Sequence, residues 1–509
     1  MATRDSKLSE HKRFKKQLKP PLAQLDMKPA SWIDDRLPEM LWAVLVVGNL
    51  ERDKALKFFR SIAKFVQNNK ECADITLSGI ETLPLEKRGE FIALLVSWSD
   101  EVRGALRPLG LLPDLPAFDD WKNLLDEPDP KEDWNKLANG VAKTIWHQSE
   151  LATDCRWIKF LCEIISGKLK FSRGIKDIEE SLRGVFEYPN YGDLKHIRPF
   201  IRAGEISQVF KEKDAEDSKW ASKFWDYCYN HTGCVPEEAV SQRLQNKQKQ
   251  LSREIEEARK YYFIETSELR NKLINHFFAT SKVSSIDSRH EGAFGLALFG
   301  VTLFIEIIFY RVPLSITGRI ALRMLVEACI TFKYLAKKEK SEPQIWDGYR
   351  SYGTGQLKLI YLKLKESGQE INSIEVDQLD FLANEDRWIE FAPITLGHWD
   401  SENLRKISEE VGLKNIYDKY YDYTSGFVHA NWGAVRESVY QKCVNPLHRY
   451  HRLPTYDLPL MSSVTKDAAE IVNSILDCLS ETYPKFDPRI NLDIPKTPKP
   501  KKPKSKRKV

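Results

Sequence analysis

Ile316-Thr-Gly-Arg319-Ile-Ala-Leu-Arg323-Met-Leu-Val-Glu327-Ala-Cys-Ile-Thr-Phe-Lys-Tyr-Leu-Ala-Lys-Lys338 decides how this chain folds. Wound as a helix, it shows apolar residues on nearly every side: Ile320, Leu322, Met324, Leu325, Val326, Cys329, Ile330 and Phe332. A helix that is apolar all round is a buried one. Its one polar stripe is Arg319, Arg323 and Glu327. Charges on a buried helix are paired or line a cleft. The preceding turn, Val312-Pro-Leu-Ser315, supplies Ser315 as the expected N-cap.

A second stretch complements the first. Tyr417-Asp-Lys-Tyr-Tyr421-Asp-Tyr-Thr-Ser425-Gly-Phe-Val-His429-Ala-Asn-Trp432 reads as a helix with Tyr421, Ser425 and His429 along one face. Gly426, Ala430, Gly433 and Ala434 favour close packing there. Standing the two helices together gives a candidate catalytic set of Arg323, Glu327, Tyr421, Ser425 and His429. In it Arg323 holds a phosphate in bidentate fashion and Glu327 fixes Arg323 or His429. His429 is the acid or base, Ser425 its partner or a nucleophile, and Tyr421 orients a phosphate or a base. The plainer reading of the same residues is a satisfied polar network that locks two helices.

Working outward, Gly292 to Tyr310 is the most apolar run, with Glu306 as its one charge. Its length is near the roughly 20 residues that span a bilayer, but the expected role is a buried central helix, with no membrane partner. Before it, Pro236 starts a long polar helix from Glu237 to Phe278. Residues 107–133, rich in Pro and Asp, read as a long loop or an internal boundary. Further upstream, Ile33 to Val47 is an apolar helix ended by Gly48-Asn49, with Asn49 as the expected cap of the next helix. Residues 339–412 alternate short helices with turns, and residues 465–482 form a last amphipathic helix. No stretch shows a convincing period of two, so the fold class is all-α. The expected organisation is a basic lead (1–30), an N-terminal helical domain (31–233), a long connecting helix (234–283), a C-terminal bundle (284–484) and a disordered basic tail (485–509).

The net charge of +5 hides an uneven distribution. Residues 1–19 carry +5 and residues 496–509 carry +8, which leaves −8 on residues 20–495. Lys501, Lys502, Lys504, Lys506, Arg507 and Lys508 in the tail are expected to bind nucleic acid without sequence preference, and Arg319 joins them as a candidate phosphate ligand. The tail also looks like a nuclear localisation signal. No secretory signal opens the chain, so the expected location is cytoplasmic, or nuclear in a eukaryote. The eight cysteines form no CxxC pair, and Cys228 and Cys234 are too loosely spaced for a zinc knuckle. They read as reduced, buried thiols, and neither a metal ligand nor a cofactor is assigned. His448 and His451, with Arg449 and Arg452, are either phosphate contacts or a solvated loop.

The pairing of Leu322-Arg323-Met-Leu-Val-Glu327-Ala with Tyr421-x3-Ser425-x3-His429 resembles a bacterial all-helical family of uncharacterised domains that is HEPN-like. It covers about residues 285–450 here and leaves residues 1–230 outside. The resemblance implies a HEPN-like C-terminal bundle, related to helical nucleotide-binding and ribonuclease domains of toxin and phage-defence systems. It implies an effector acting on RNA or a nucleotide, in the form of a metal-independent ribonuclease of abortive infection. HEPN ribonucleases are marked by Arg-x4–6-His. The Tyr421–His429 segment lacks that Arg, whereas Arg270-Asn271-Lys-Leu-Ile-Asn-His276 has the spacing. Arg270, Asn271 and His276 are therefore an alternative catalytic set. The expected partners are RNA or a nucleotide, nonspecific nucleic acid at the tail, and a second copy of the chain. The reading of a different class is a non-catalytic helical sensor or scaffold that binds a protein or a nucleic acid.

Overall fold

The computed structural model describes residues 8–15, 17–19, 31–169, 178–206, 214–283, 286–310, 312–368, 373–385, 393–396, 403–456 and 460–492. The fold is all-α. Among the described residues the strands are four short segments, Lys12–Phe14, Gln17–Lys19, Tyr440–Lys442 and Arg452–Pro454. The chain makes two compact units. One takes residues 1–240 and then 442–453, and the other takes residues 241–441 and then 454–509. The sequence division gave residues 284–484 to one domain. The structure instead returns Lys442–Leu453 to the first unit.

In the first unit, α1 (Leu41–Asn49) is buried from Leu41 through Gly48. It packs on α3 (Pro130–Thr144), and a Cβ on Gly48 would lie 2.3 Å from the Gly140 Cα. Two glycines therefore let the backbones touch. Helix α2 (Arg52–Asn68) turns Ala55, Phe58, Phe59, Ile62 and Val66 inward at helical spacing. Helix α4 (Glu150–Ile165) packs on α1 and α2. Two indole N–H groups in this core donate to carbonyls, Trp42 to Ile75 and Trp32 to Thr144, each at 2.8 Å.

Two expectations change here. Asn49 does not cap α2; its amide donates to the Leu45 and Lys136 carbonyls, and Glu51 stands at the cap. Residues 107–133 are not a long loop, since they hold a 3₁₀ turn (Arg107–Leu111), a helix (Phe118–Leu124) and the start of α3. Asp129 caps α3 by accepting from the Lys131 and Glu132 N–H groups, so the Asp–Pro pattern marked a helix start.

The second unit is a bundle of α5 (Gln242–Thr280), α6 (Ser288–Phe309), α7 (Ile316–Lys338) and α11 (Thr465–Thr482), with α8 (Ile345–Ser367) against α6. Helix α5 starts later than expected. A short helix (Glu237–Val240) precedes it, and the Ser241 hydroxyl caps it by accepting from Leu244 N–H at 3.2 Å. Helix α8 is one long helix in a region read as short ones. Phe294, Phe304, Leu325, Cys329, Val472 and Ile475 share the core. Each large apolar side chain buried there stabilises by about 1.5–3 kcal/mol. Helix α6 is long and apolar enough to cross a membrane, and half of its apolar window is buried inside the bundle. Residues 493–509, including the six cationic tail residues, lie outside the described residues.

Candidate functional site

Ser315 caps α7 as expected, with its hydroxyl accepting from Gly318 N–H at 3.4 Å. From there the polar stripe climbs the helix. Arg319 is 2% exposed, and its guanidinium donates to the carbonyls of Pro313 (3.0 Å), Ser315 (3.2 Å) and Ser462. It ties the turn before α7 to the residues before α11. A guanidinium spent on three carbonyls inside the core has no face for a phosphate, so Arg319 leaves the nucleic-acid-binding set.

Arg323, one turn on, is partly open. Its guanidinium meets Glu327 Oε1 at 2.9 Å and donates to the Tyr421 hydroxyl at 2.8 Å. It also lies 4.7 Å above the Tyr421 ring, a cation–π contact. Tyr421 stacks on Tyr417 with centroids 4.5 Å apart. Burial raises the Tyr417 phenol above its ordinary pKa, so the ring stays neutral. The result is a layered column of guanidinium, Tyr421 and Tyr417, braced from the side by Glu327. The Arg323 Nε is buried and has no hydrogen-bond partner.

The Tyr417–Trp432 stretch is not one regular helix. Tyr417–Tyr421 is a π-helical turn, which leads into α9 (Asp422–Val428). Wide turns of this kind occur often at functional sites. Helix α9 stops at His429, because Ala430 takes a left-handed φ of +48° and Asn431 N–H closes back on the Gly426 carbonyl at 2.8 Å. Helix α10 (Trp432–Val439) follows.

The expected five-residue set is therefore only partly assembled. Arg323, Glu327 and Tyr421 are in contact. Ser425 sits on α9, which packs on α7, and its hydroxyl is buried without a hydrogen-bond partner. His429 lies in the terminating turn, is exposed, and is joined to Arg323 or Glu327 by no hydrogen bond or ion pair among the described residues. Sequence reasoning passed over Tyr423 and Trp432 beside it, 50% and 62% exposed. The signal was in plain view, since both lie in the quoted stretch. The Tyr423 hydroxyl donates to the Glu437 carboxylate at 2.9 and 3.0 Å, and the Trp432 ring lies 5.9 Å from that of Tyr440.

The alternative set does not come together. Arg270 and Asn271 are exposed on α5, while His276 is part-buried between Phe294 and Phe486. His276 Nε2 lies 3.2 Å from the Tyr483 carbonyl. Six residues along a helix place Arg270 and His276 roughly 120° apart around it, so the spacing is coincidental.

The largest omission of the sequence reading is in the first unit, where no metal ligand was assigned. Cys234, Cys443, His448 and His451 offer ligand atoms that all lie within 4.8 Å of one another. His448 is 5% exposed and faces the sulfurs, so it is neither a phosphate contact nor part of a solvated loop. Arg449 pairs with Asp34 at 2.7 Å. Seven cysteines are buried as expected, whereas Cys234 is exposed. The one usable signal was Cys443-x4-His448-x2-His451; the missing cysteine lies far upstream.

Residues 291–442 match the model of DUF5677, a family of unknown function. That stretch contains Arg323, Glu327, Tyr421, Ser425 and His429 and ends just before Cys443. No curated protein and no solved structure matches the chain.

Proposed function

We propose that the second unit is a HEPN-like effector that acts on RNA or a nucleotide, with Arg323 as the phosphate anchor and His429 as the proton carrier. The observation that carries the reading is the Arg323 column. A partly open guanidinium is held in orientation by Glu327 and Tyr421. An arginine oriented in this way meets a phosphate with little loss of side-chain freedom. Helix α9 packs on α7 and carries Ser425, whose buried hydroxyl has no hydrogen-bond partner, while His429, Tyr423 and Trp432 are exposed along the same stretch. An exposed imidazole at the end of the helix that packs on α7 suits general acid–base cleavage of a phosphodiester. A role in phage defence by abortive infection rests on resemblance.

Induced expression in bacteria tests the reading, with growth and total RNA followed for wild type, Arg323→Ala and His429→Gln. Wild type should arrest growth and fragment RNA. His429→Gln keeps a hydrogen-bonding group but cannot titrate near neutral pH, so it should lose about 10² to 10⁴ in rate with the fold intact. Full activity in His429→Gln would remove acid–base catalysis by this residue. A second reading, a non-catalytic scaffold, is favoured by the contacts Arg323 already makes: Glu327 and Tyr421 satisfy it without a ligand. On that reading Arg323→Ala lowers the melting temperature and no variant changes RNA.

A further inference from the structure

We infer that Cys234, Cys443, His448 and His451 form a four-coordinate zinc site that fastens the returning segment Lys442–Leu453 to the first unit. The argument begins with distances. Cys234 Sγ lies 3.4 Å from His448 Nδ1 and 3.4 Å from His451 Nε2. Cys443 Sγ lies 3.6 Å from His448 Nδ1. Zinc–sulfur bonds of about 2.3 Å and zinc–nitrogen bonds of about 2.0–2.1 Å, set at a tetrahedral angle, put S and N about 3.6 Å apart. The observed edges are those of such a tetrahedron. Two sulfurs and two imidazoles are also the donor set that zinc favours, and four protein ligands leave no open position.

The groups behind the ligands point the same way. His448 Nε2 faces the Thr232 carbonyl at 3.2 Å and the Thr232 hydroxyl at 3.0 Å. A carbonyl can only accept, so Nε2 carries the proton and Nδ1 presents its lone pair to the sulfurs. A metal-bound imidazole is held by this kind of contact on its other nitrogen. Val235 N–H donates to Cys443 Sγ at 3.4 Å, a contact that favours thiolate over thiol. Cys443 N–H bonds the His451 carbonyl and Val444 N–H bonds the Val235 carbonyl, each at 2.8 Å. Asn445 completes the frame by donating to the Gly233 carbonyl at 2.9 Å.

The backbone between the two histidines is strained. Arg449 and Tyr450 both have a φ of +51° although neither is glycine. Side-chain-bearing residues hold that conformation only where their surroundings over-determine it. Here the double left-handed turn brings the His448 and His451 rings within 5.4 Å of each other. Leu447, buried in the first core, and the Arg449–Asp34 ion pair anchor the turn from below. Along the chain, Cys234 precedes and Cys443 follows the 241–441 insertion. A metal there joins the two segments from which the insertion departs and to which it returns. On zinc uptake each thiol gives its proton to solvent and the imidazoles bind neutral.

The test is zinc stoichiometry and affinity on the reduced full chain. After equilibration with zinc and desalting, wild type should hold one zinc per chain. Cobalt in its place should show the intense visible bands of a tetrahedral thiolate complex. Cys234→Ser and His451→Asn, both outside the closed core, should lose more than the roughly 10–100-fold in affinity that a partner behind a ligand is worth. Cys478→Ala, a thiol of the other unit, should bind as wild type does. Circular dichroism of each variant separates ligand loss from unfolding. Wild type that retains no zinc, or Cys234→Ser and His451→Asn variants that bind it as tightly as wild type, overturns the assignment.

Discussion

The two polar clusters of this chain are built on opposite principles. In the first unit two thiols and two imidazoles converge on a point, with His448 held on its outer nitrogen by Thr232 and Cys443 Sγ met by the Val235 N–H. In the second unit Arg323 pairs with Glu327 and with Tyr421, and His429 is exposed to solvent. Donors that converge on one point leave a centre that a single metal ion can take. Pairwise satisfaction holds a fold with or without one. The contrast separates a cluster arranged around a common centre from one arranged as a column.

Chelation should break the contrast most visibly. Stripping the metal should lower the stability of the first unit by about 4 kcal/mol relative to protein held at free zinc a thousandfold above its Kd. Two-step thermal unfolding with and without chelator reads this out, and the transition of the second unit should stay in place.

Acid titration gives the next largest effect. Glu39 is 6% exposed and accepts from Ser78 N–H at 3.0 Å and Ser78 hydroxyl at 2.8 Å. Burial is the main cause that pushes its pKa up from 4.5 to about 7. The folded chain therefore holds this proton where the unfolded chain has lost it. Its contribution is fully present below the ordinary carboxylate pKa and is lost as pH rises through about 7. Glu39→Gln should flatten that decline and raise stability at pH 8 by roughly 1–3 kcal/mol, measured by denaturant titration across pH. An unchanged slope would place the proton elsewhere.

Arg323→Ala sharpens the other side of the comparison. It removes a hydrogen bond and a cation–π contact on the Tyr421 ring, at an expected cost of about 1–2 kcal/mol to the second transition only. The Glu327 contact adds little, since its side chain is 38% exposed. Equal loss in both transitions would mean that the column supports more than its own unit.

The smallest effect belongs to Ala430. Replacing it with glycine relieves the left-handed strain and should stabilise by about 0.5–1 kcal/mol. If activity falls while stability rises, the strained turn that presents His429 serves function.

Much of this was legible before any coordinates. The buried helix Ile316–Lys338, its Ser315 cap, the Gly292–Tyr310 core helix and the i, i+4 pair of Arg323 with Glu327 all follow from local spacing and polarity. Arg319 was misread because the stripe alone does not show which rung of a helix is sealed. It meets carbonyls at Pro313 and Ser462, and the second of these lies far along the chain. His429 was placed on a continuous face, but a π turn before it and an αL residue after it reset the geometry.

By itself, then, the sequence determined that the fold is helical, which faces are apolar and that Ile316–Lys338 is buried, because those properties repeat every few residues and are settled by neighbours in the chain. Only the tertiary structure decided that Lys442–Leu453 leaves the second unit for the first, and that Cys234 meets Cys443, His448 and His451. Coordination depends on distances of a few ångströms between atoms. Residues on either side of a 241–441 insertion acquire those distances only when the chain closes on itself.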